Sequence, residues 1–243
     1  WLVDVLPYER HGVDAYSRLN NQELRAWLVS HHCPVHVSVW APVKALYDLG
    51  FAYENGDGSS LANGRIAAGV GLKVLLRIAL AYKNAPLFRM SAGMGDTVMT
   101  PLYQVLRDRG VTFKFFHRVT KLKLSADKLS LDGVDVDVQA ALAVAGRAYR
   151  PLVGVGRLEC WPDQPLYAQL APGTPHVNFE SDACAVKVSS HTLQRGVDFD
   201  AVVCAIPKGA LAGIGSELYV AKPRWKTMMD TIATVRTQAS QVW

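Results

Sequence analysis

Residues 91–100 read SAGMGDTVMT, two glycines flanking a methionine ahead of an apolar, helix-like run. A glycine-rich turn that opens a helix is a common cradle for phosphate, so this stretch is the first candidate for chemistry. A dinucleotide fingerprint needs GxGxxG between a strand and a helix. Five GxG pairs start at Gly56, Gly69, Gly93, Gly154 and Gly213, and the third-glycine positions hold Leu61, Val74, Val98, Glu159 and Leu218. None qualifies. Asp96 also sits where the helix start would offer its positive end to an anion, so the pattern predicts a turn plus a helix N-cap. Thr100-Pro101 is a second candidate helix start, and Gly110 a stop after Arg107 and Arg109.

Other constellations are thinner. His31, His32, Cys33 and His36 lie within six residues and are ligand types that zinc accepts. Pro34 interrupts them and no second ligand pair follows, so no metal is expected. GxSxG is absent, and no Ser/His/Asp arrangement names a catalytic base. Glu159-Cys160-Trp161-Pro162 is a polar-aromatic cluster in which Trp161, with Tyr167, either lines a substrate pocket or pins a long loop to the core.

These residues need elements to hold them. The 243 residues are half apolar and 19% charged, which excludes a disordered chain and allows one large domain or two interleaved ones. The net charge of +5 is spread without a basic block, so nucleic acid is not an expected partner. Four cysteines without a CxxC pair, in a chain this rich in apolar residues, point to a reducing compartment, hence the cytoplasm. Ile66–Tyr82 is the longest apolar stretch, but Lys73 and Arg77 make it an amphipathic helix and not a membrane span. The chain opens at Trp1 and closes on ASQVW, which reads as a strand beginning, so it is expected to be an internal portion of a longer protein.

Helices are expected over NQELRAWLVSHH with Asn20 or Asn21 as cap, from Pro42 to about Ala52, from about Asn63 to Tyr82, and from Pro223 to about Arg236. Val111–Leu124 reads as one bent strand or two. KLSLDGVDVDVQ predicts a hairpin turning at Asp132-Gly133 with one wet face. Residues 146–180 are loop-rich and contain several prolines, and Ala201–Ala205 within FDAVVCAIP reads as a strand buried on both faces of a parallel sheet.

The order of AGMGDTVMTPLYQVLRDRG, VTFKFFHRVTKLKL and FDAVVCAIPKGAL, with the phrases FAYENGD, YKNAPLFRMSAGMGD and LECWPDQPLYAQL, resembles the flavin-dependent amine oxidase and phytoene desaturase superfamily. It is most like a bacterial branch of NAD-binding-domain oxidoreductases. The resemblance implies a mixed α/β (α+β) chain: a largely helical substrate-side region over 1–90, an incomplete Rossmann-like FAD/NAD(P)-binding domain over 91–212, and a return to the substrate side over 213–243. It implies FAD as cofactor, approached by Val119, by Ala205, Ile206 and Pro207 at a strand end, and by the turn Gly93, Met94 and Gly95. It further implies hydride transfer from an organic substrate, for which the apolar helix favours a hydrophobic molecule. Two departures stand out. The first βαβ unit with its GxGxxG is missing, so this chain alone is expected to hold FAD weakly or not at all and to be inactive. The lysine near the flavin of amine oxidases is also missing; TVRTQASQVW offers only Arg236. The alternative is a non-catalytic binding or scaffolding domain that keeps the superfamily shape.

Overall fold

The computed structural model describes residues 15–83, 85, 88–235 and 237. These divide into two compact units, residues up to Phe88 with those from Ile232 on, and Arg89–Thr231. Among them the chain is mixed α and β, and no helix is long and apolar enough to cross a membrane.

The first unit is helical: α1 (Leu24–Ser30), a single turn at Val35–Ser38, α2 (Ala41–Leu49) and α3 (Ala68–Leu76), which widens into a π turn over Arg77–Ala81. The cap of α1 is Glu23 and not Asn20 or Asn21: its carboxylate accepts the Arg25 and Ala26 N–H groups at 2.9 and 3.0 Å. Tyr47 donates its hydroxyl to the same carboxylate. Burial first, and then that carboxylate, raise the Tyr47 hydroxyl far above the usual tyrosine range. Leu24 and Tyr47 are fully buried, with Trp27, Tyr53, Ala68 and Leu72 in the same cluster. The start of α3 lies against the first helical turn, Ala15–Leu19, so closely that a methyl on Gly69 would fall 1.9 Å from the Tyr16 carbonyl oxygen. Only glycine permits that approach.

The second unit opens with the turn under question. Gly95–Met99 is a π turn leading into α4 (Thr100–Asp108), which has Pro101 in its first turn. Asp96 does not cap this helix; its carboxylate is taken by a distant backbone group described below. At the other end Gly110, at φ 88°, closes the helix: its N–H reaches the Arg107 carbonyl at 2.9 Å and Val111 N–H reaches Leu106 at 3.0 Å. That is a Schellman ending, as the sequence predicts.

Three antiparallel strands follow, β1 (His117–Leu124), β2 (Leu131–Val138) and, after a small β3–β4 hairpin (Val153–Val155, Leu158–Cys160), β5 (Ser189–Gln194), in the order β1-β2-β5. Alternation puts Leu122, Val134 and Val136 into a core closed by Leu211 and Met229. The other face is wet, with Asp135 bridged to Lys123 at 2.6 Å and accepting from Thr192 at 2.5 Å. Three helices supply the cover, α5 (Lys208–Ile214), α6 (Ser216–Ala221) and α7 (Pro223–Thr231). Glu217 of α6 fastens them to β1, pairing with Lys121 at 2.7 Å and accepting from Leu124 N–H at 2.8 Å.

Three expectations are corrected. The hairpin does not turn at Asp132-Gly133, which lie inside β2, with Gly133 opposite both Lys123 and Gln194. The turn is at Ser125–Ser130, where Asp127 accepts from Leu129 N–H at 2.9 Å and Lys128 adopts φ 60°. Residues 111–116 form no strand; β1 starts only at His117, after Phe116 at φ 59°. Ala201–Ala205 is neither a strand nor buried; the run has no regular structure and is open, with Val203 93% exposed. Consequently the described residues contain no parallel sheet, and the FAD/NAD(P)-binding Rossmann layer is not among them. A doubly buried strand needs neighbours on both sides, and nothing in this unit flanks the run.

Candidate functional site

A cleft of the second unit, about 830 Å³, is built from β1's approach and from the proline-rich loops over 146–180. Phe115 and Phe116, just ahead of β1, form one wall; Tyr149 packs on both rings, at 5.4 and 5.0 Å between centroids. Beneath lie Ala140, Leu170 and Phe179, a small core of their own. Gln139, buried at the end of β2, fixes this floor by donating its side-chain N–H to the Phe179 carbonyl at 2.9 Å. The Tyr149 hydroxyl accepts from Leu166 N–H at 2.8 Å, which holds the loop that carries Tyr167. Burial raises the Tyr149 hydroxyl, with the Leu166 N–H opposing, so it stays neutral at physiological pH. Tyr167 and His176 stack face to face, 3.7 Å apart and 17° from parallel.

Trp161 joins the cleft to the glycine turn. Its indole N–H donates to the Gly95 carbonyl at 3.1 Å and its backbone N–H donates to Asp96 Oδ1 at 3.0 Å. Its ring meets Tyr103 of α4 edge-on at 5.3 Å. Asp96 therefore anchors the tryptophan instead of facing an anion; Trp161 pins its loop, and its side chain also lines the cleft. The neighbouring Cys160 thiol is raised, by burial first and Asp96 second, which is the wrong direction for a nucleophile.

The residues expected to approach FAD are not gathered in this cleft. Gly93, Met94 and Gly95 lie at the start of the π turn, with only Gly95 touching Trp161 through its carbonyl. Val119 faces the sheet core with Leu211, and Ala205, Ile206 and Pro207 form the open approach to α5. None of the seven lines the large cleft or a smaller one, of about 640 Å³, beside Arg147 and Arg150. With no glycine-rich phosphate cradle either, the described residues do not by themselves fit an FAD site. His31 stacks on Trp27 at 4.3 Å and pairs through Nδ1 with the Trp27 carbonyl at 3.0 Å. Among the described residues no group of three or more His, Cys, Asp or Glu could hold a metal ion. Arg236 lies outside the described residues.

Sequence reasoning missed most of the cleft. Phe115, Phe116, Tyr149 and His176 are scattered over some sixty positions, and their only common signal is aromatic content in a proline-rich stretch. It also missed Arg25, which is 6% exposed, stacks on the Tyr47 ring at 3.8 Å and has no hydrogen-bond partner for any guanidinium nitrogen among the described residues.

No protein-family model, curated protein or solved structure matches this chain.

Proposed function

We propose that this chain is part of a flavin-dependent oxidoreductase of the amine oxidase and phytoene desaturase type, which passes hydride from an organic substrate to bound FAD. One observation carries the reading. Six residues after β5, the run Ala201–Ala205 has the composition of a doubly buried strand yet stands open, with Val203 93% exposed. Burying one such valine is worth about 1.5–3 kcal/mol, so an open run of this kind marks a surface meant to be covered. A nucleotide-binding parallel sheet supplied by the rest of a longer protein would cover it and bring Ala205–Pro207 to a strand end, where such folds receive cofactors. The flavin would supply the redox chemistry, and protein groups would supply position and dryness. No step is assigned to a side chain of this chain.

The test is the absorption spectrum of the longer protein after purification with FAD present. Flavin bands at one equivalent per chain are expected. A colourless protein that releases no flavin on denaturation overturns the proposal.

The aromatic cleft favours a second reading, a non-catalytic binding module, because it is complete within this chain and no phosphate cradle accompanies it. That reading predicts a colourless longer protein whose cleft still binds a ligand.

A further inference from the structure

We propose that the 830 Å³ cleft of the second unit binds a neutral carbohydrate, a pyranose or a short chain of them. Two side-chain amides at its floor and edge carry the argument, because the protein itself decides which way each one points. Gln139 is 5% exposed and donates its side-chain N–H to the Phe179 carbonyl at 2.9 Å. A carbonyl only accepts, so the amide nitrogen faces Phe179 and the amide oxygen is turned to another side. That oxygen has no hydrogen-bond partner among the described residues, yet it is not fully occluded. Gln139 lines the cleft, and the cleft is where a residue this buried keeps an accessible acceptor. Asn178 is set the opposite way. The Glu180 N–H donates to its Oδ1 at 2.9 Å, which leaves its NH₂ group as a donor at the cleft's edge. Tyr149 adds a second donor, since its oxygen accepts from Leu166 N–H and its own proton is left to give.

A ligand that meets one fixed acceptor and two fixed donors must both give and take hydrogen bonds, as sugar hydroxyls do. Charge points to a neutral molecule: Asp163 and Glu180 line the cleft, but Lys114 and Arg150 stand next to lining residues, so neither sign prevails. His176 covers one face of Tyr167, which removes that face as a platform. Trp161, Phe115 and Phe116 supply apolar surface for the C–H face of a pyranose. A purely apolar ligand would pack on the same rings but would leave the two amides desolvated and unpaired. An extended peptide adds to a strand edge, and none of the lining residues lies in a strand.

This inference does not rest on flavin, and it is tested on the chain as it stands. The methyl glycosides of glucose, galactose, mannose and N-acetylglucosamine are titrated into the protein by ligand-observed NMR, with cyclohexanol as the apolar control and hexaproline as the peptide control. At least one glycoside is expected to bind saturably and roughly tenfold or more tighter than cyclohexanol. Asn178→Asp keeps the oxygen that accepts from Glu180 N–H and replaces only the donor. It is expected to leave the circular dichroism spectrum unchanged and to weaken that glycoside by about two- to tenfold, the worth of one hydrogen bond. Cyclohexanol should be indifferent to it. No saturable binding of any glycoside, cyclohexanol or hexaproline binding as tightly as the best glycoside, or glycoside binding that ignores Asn178→Asp each overturns the proposal.

Discussion

Gly95→Ala separates what the glycine turn does for this fold from what it does for a cofactor. In the structure Gly95 is exposed, lies in a helical turn and has no positive φ. A methyl placed there would meet Trp161 Cδ1 at 3.5 Å, an ordinary van der Waals contact, while the carbonyl that accepts the indole N–H is untouched. Replacing a helical glycine that has room for a side chain gains roughly 0.5–1 kcal/mol from the unfolded state's lost freedom. With a urea slope of about 2–3 kcal/mol per molar, the midpoint of the second unit should rise by roughly 0.3 M. In the longer protein the same methyl should weaken FAD by roughly tenfold, about 1.4 kcal/mol, if the turn's smallness serves close approach of a flat ring. Urea unfolding followed by circular dichroism measures the first effect and flavin release on dilution the second. A fall in the midpoint would refute the geometry of the turn. Unchanged flavin retention would remove Gly93, Met94 and Gly95 from the cofactor's surroundings.

Three further outcomes are expected. Gly69→Ala, with its methyl 1.9 Å from a backbone oxygen, should destabilise the first unit by about 1–3 kcal/mol or more despite alanine's better helix propensity, read from the same urea transition. Arg25→Met should be neutral or stabilising by about 1–3 kcal/mol, because it removes a buried guanidinium that has no acceptor among the described residues while keeping packing on Tyr47; a clear loss of stability would mean that the arginine has an acceptor in solution. Lys121 first, and the Leu124 N–H next, hold the Glu217 carboxyl below its ordinary value of 4.5, so its contribution is present above that pH and is lost as pH falls through the depressed folded value. Glu217→Gln should therefore flatten the acid limb of a stability-versus-pH curve, and an unchanged limb would show that the pair contributes nothing.

How much of this was legible in the residues differs by element. The ending of α4 was readable because Gly110 and Val111 satisfy the last carbonyls locally, with no help from distant residues. The wet face of the sheet was readable from the alternation of Val134, Val136 and Val138 with aspartates. The position of the hairpin turn is not legible locally because Asp132-Gly133 has turn chemistry, but Asp127 and Lys128 supply it five residues earlier and leave Gly133 room to pair on both sides. A helix cap is the local expectation for Asp96, whereas its partner, Trp161, is 65 positions away. The cleft was illegible for the same reason: it is assembled by loops that the proline-rich region folds over β1, and no period in the sequence announces that closure.

The central claim is that Ala201–Ala205 becomes a strand of a cofactor-binding sheet in the longer protein. Amide hydrogen exchange at these five residues, compared between this chain and the longer protein with FAD, tests it most directly. Fast exchange in the chain alone and strong protection in the flavin-loaded protein are expected. Protection already present in the chain, or its absence in the longer protein, would contradict the account.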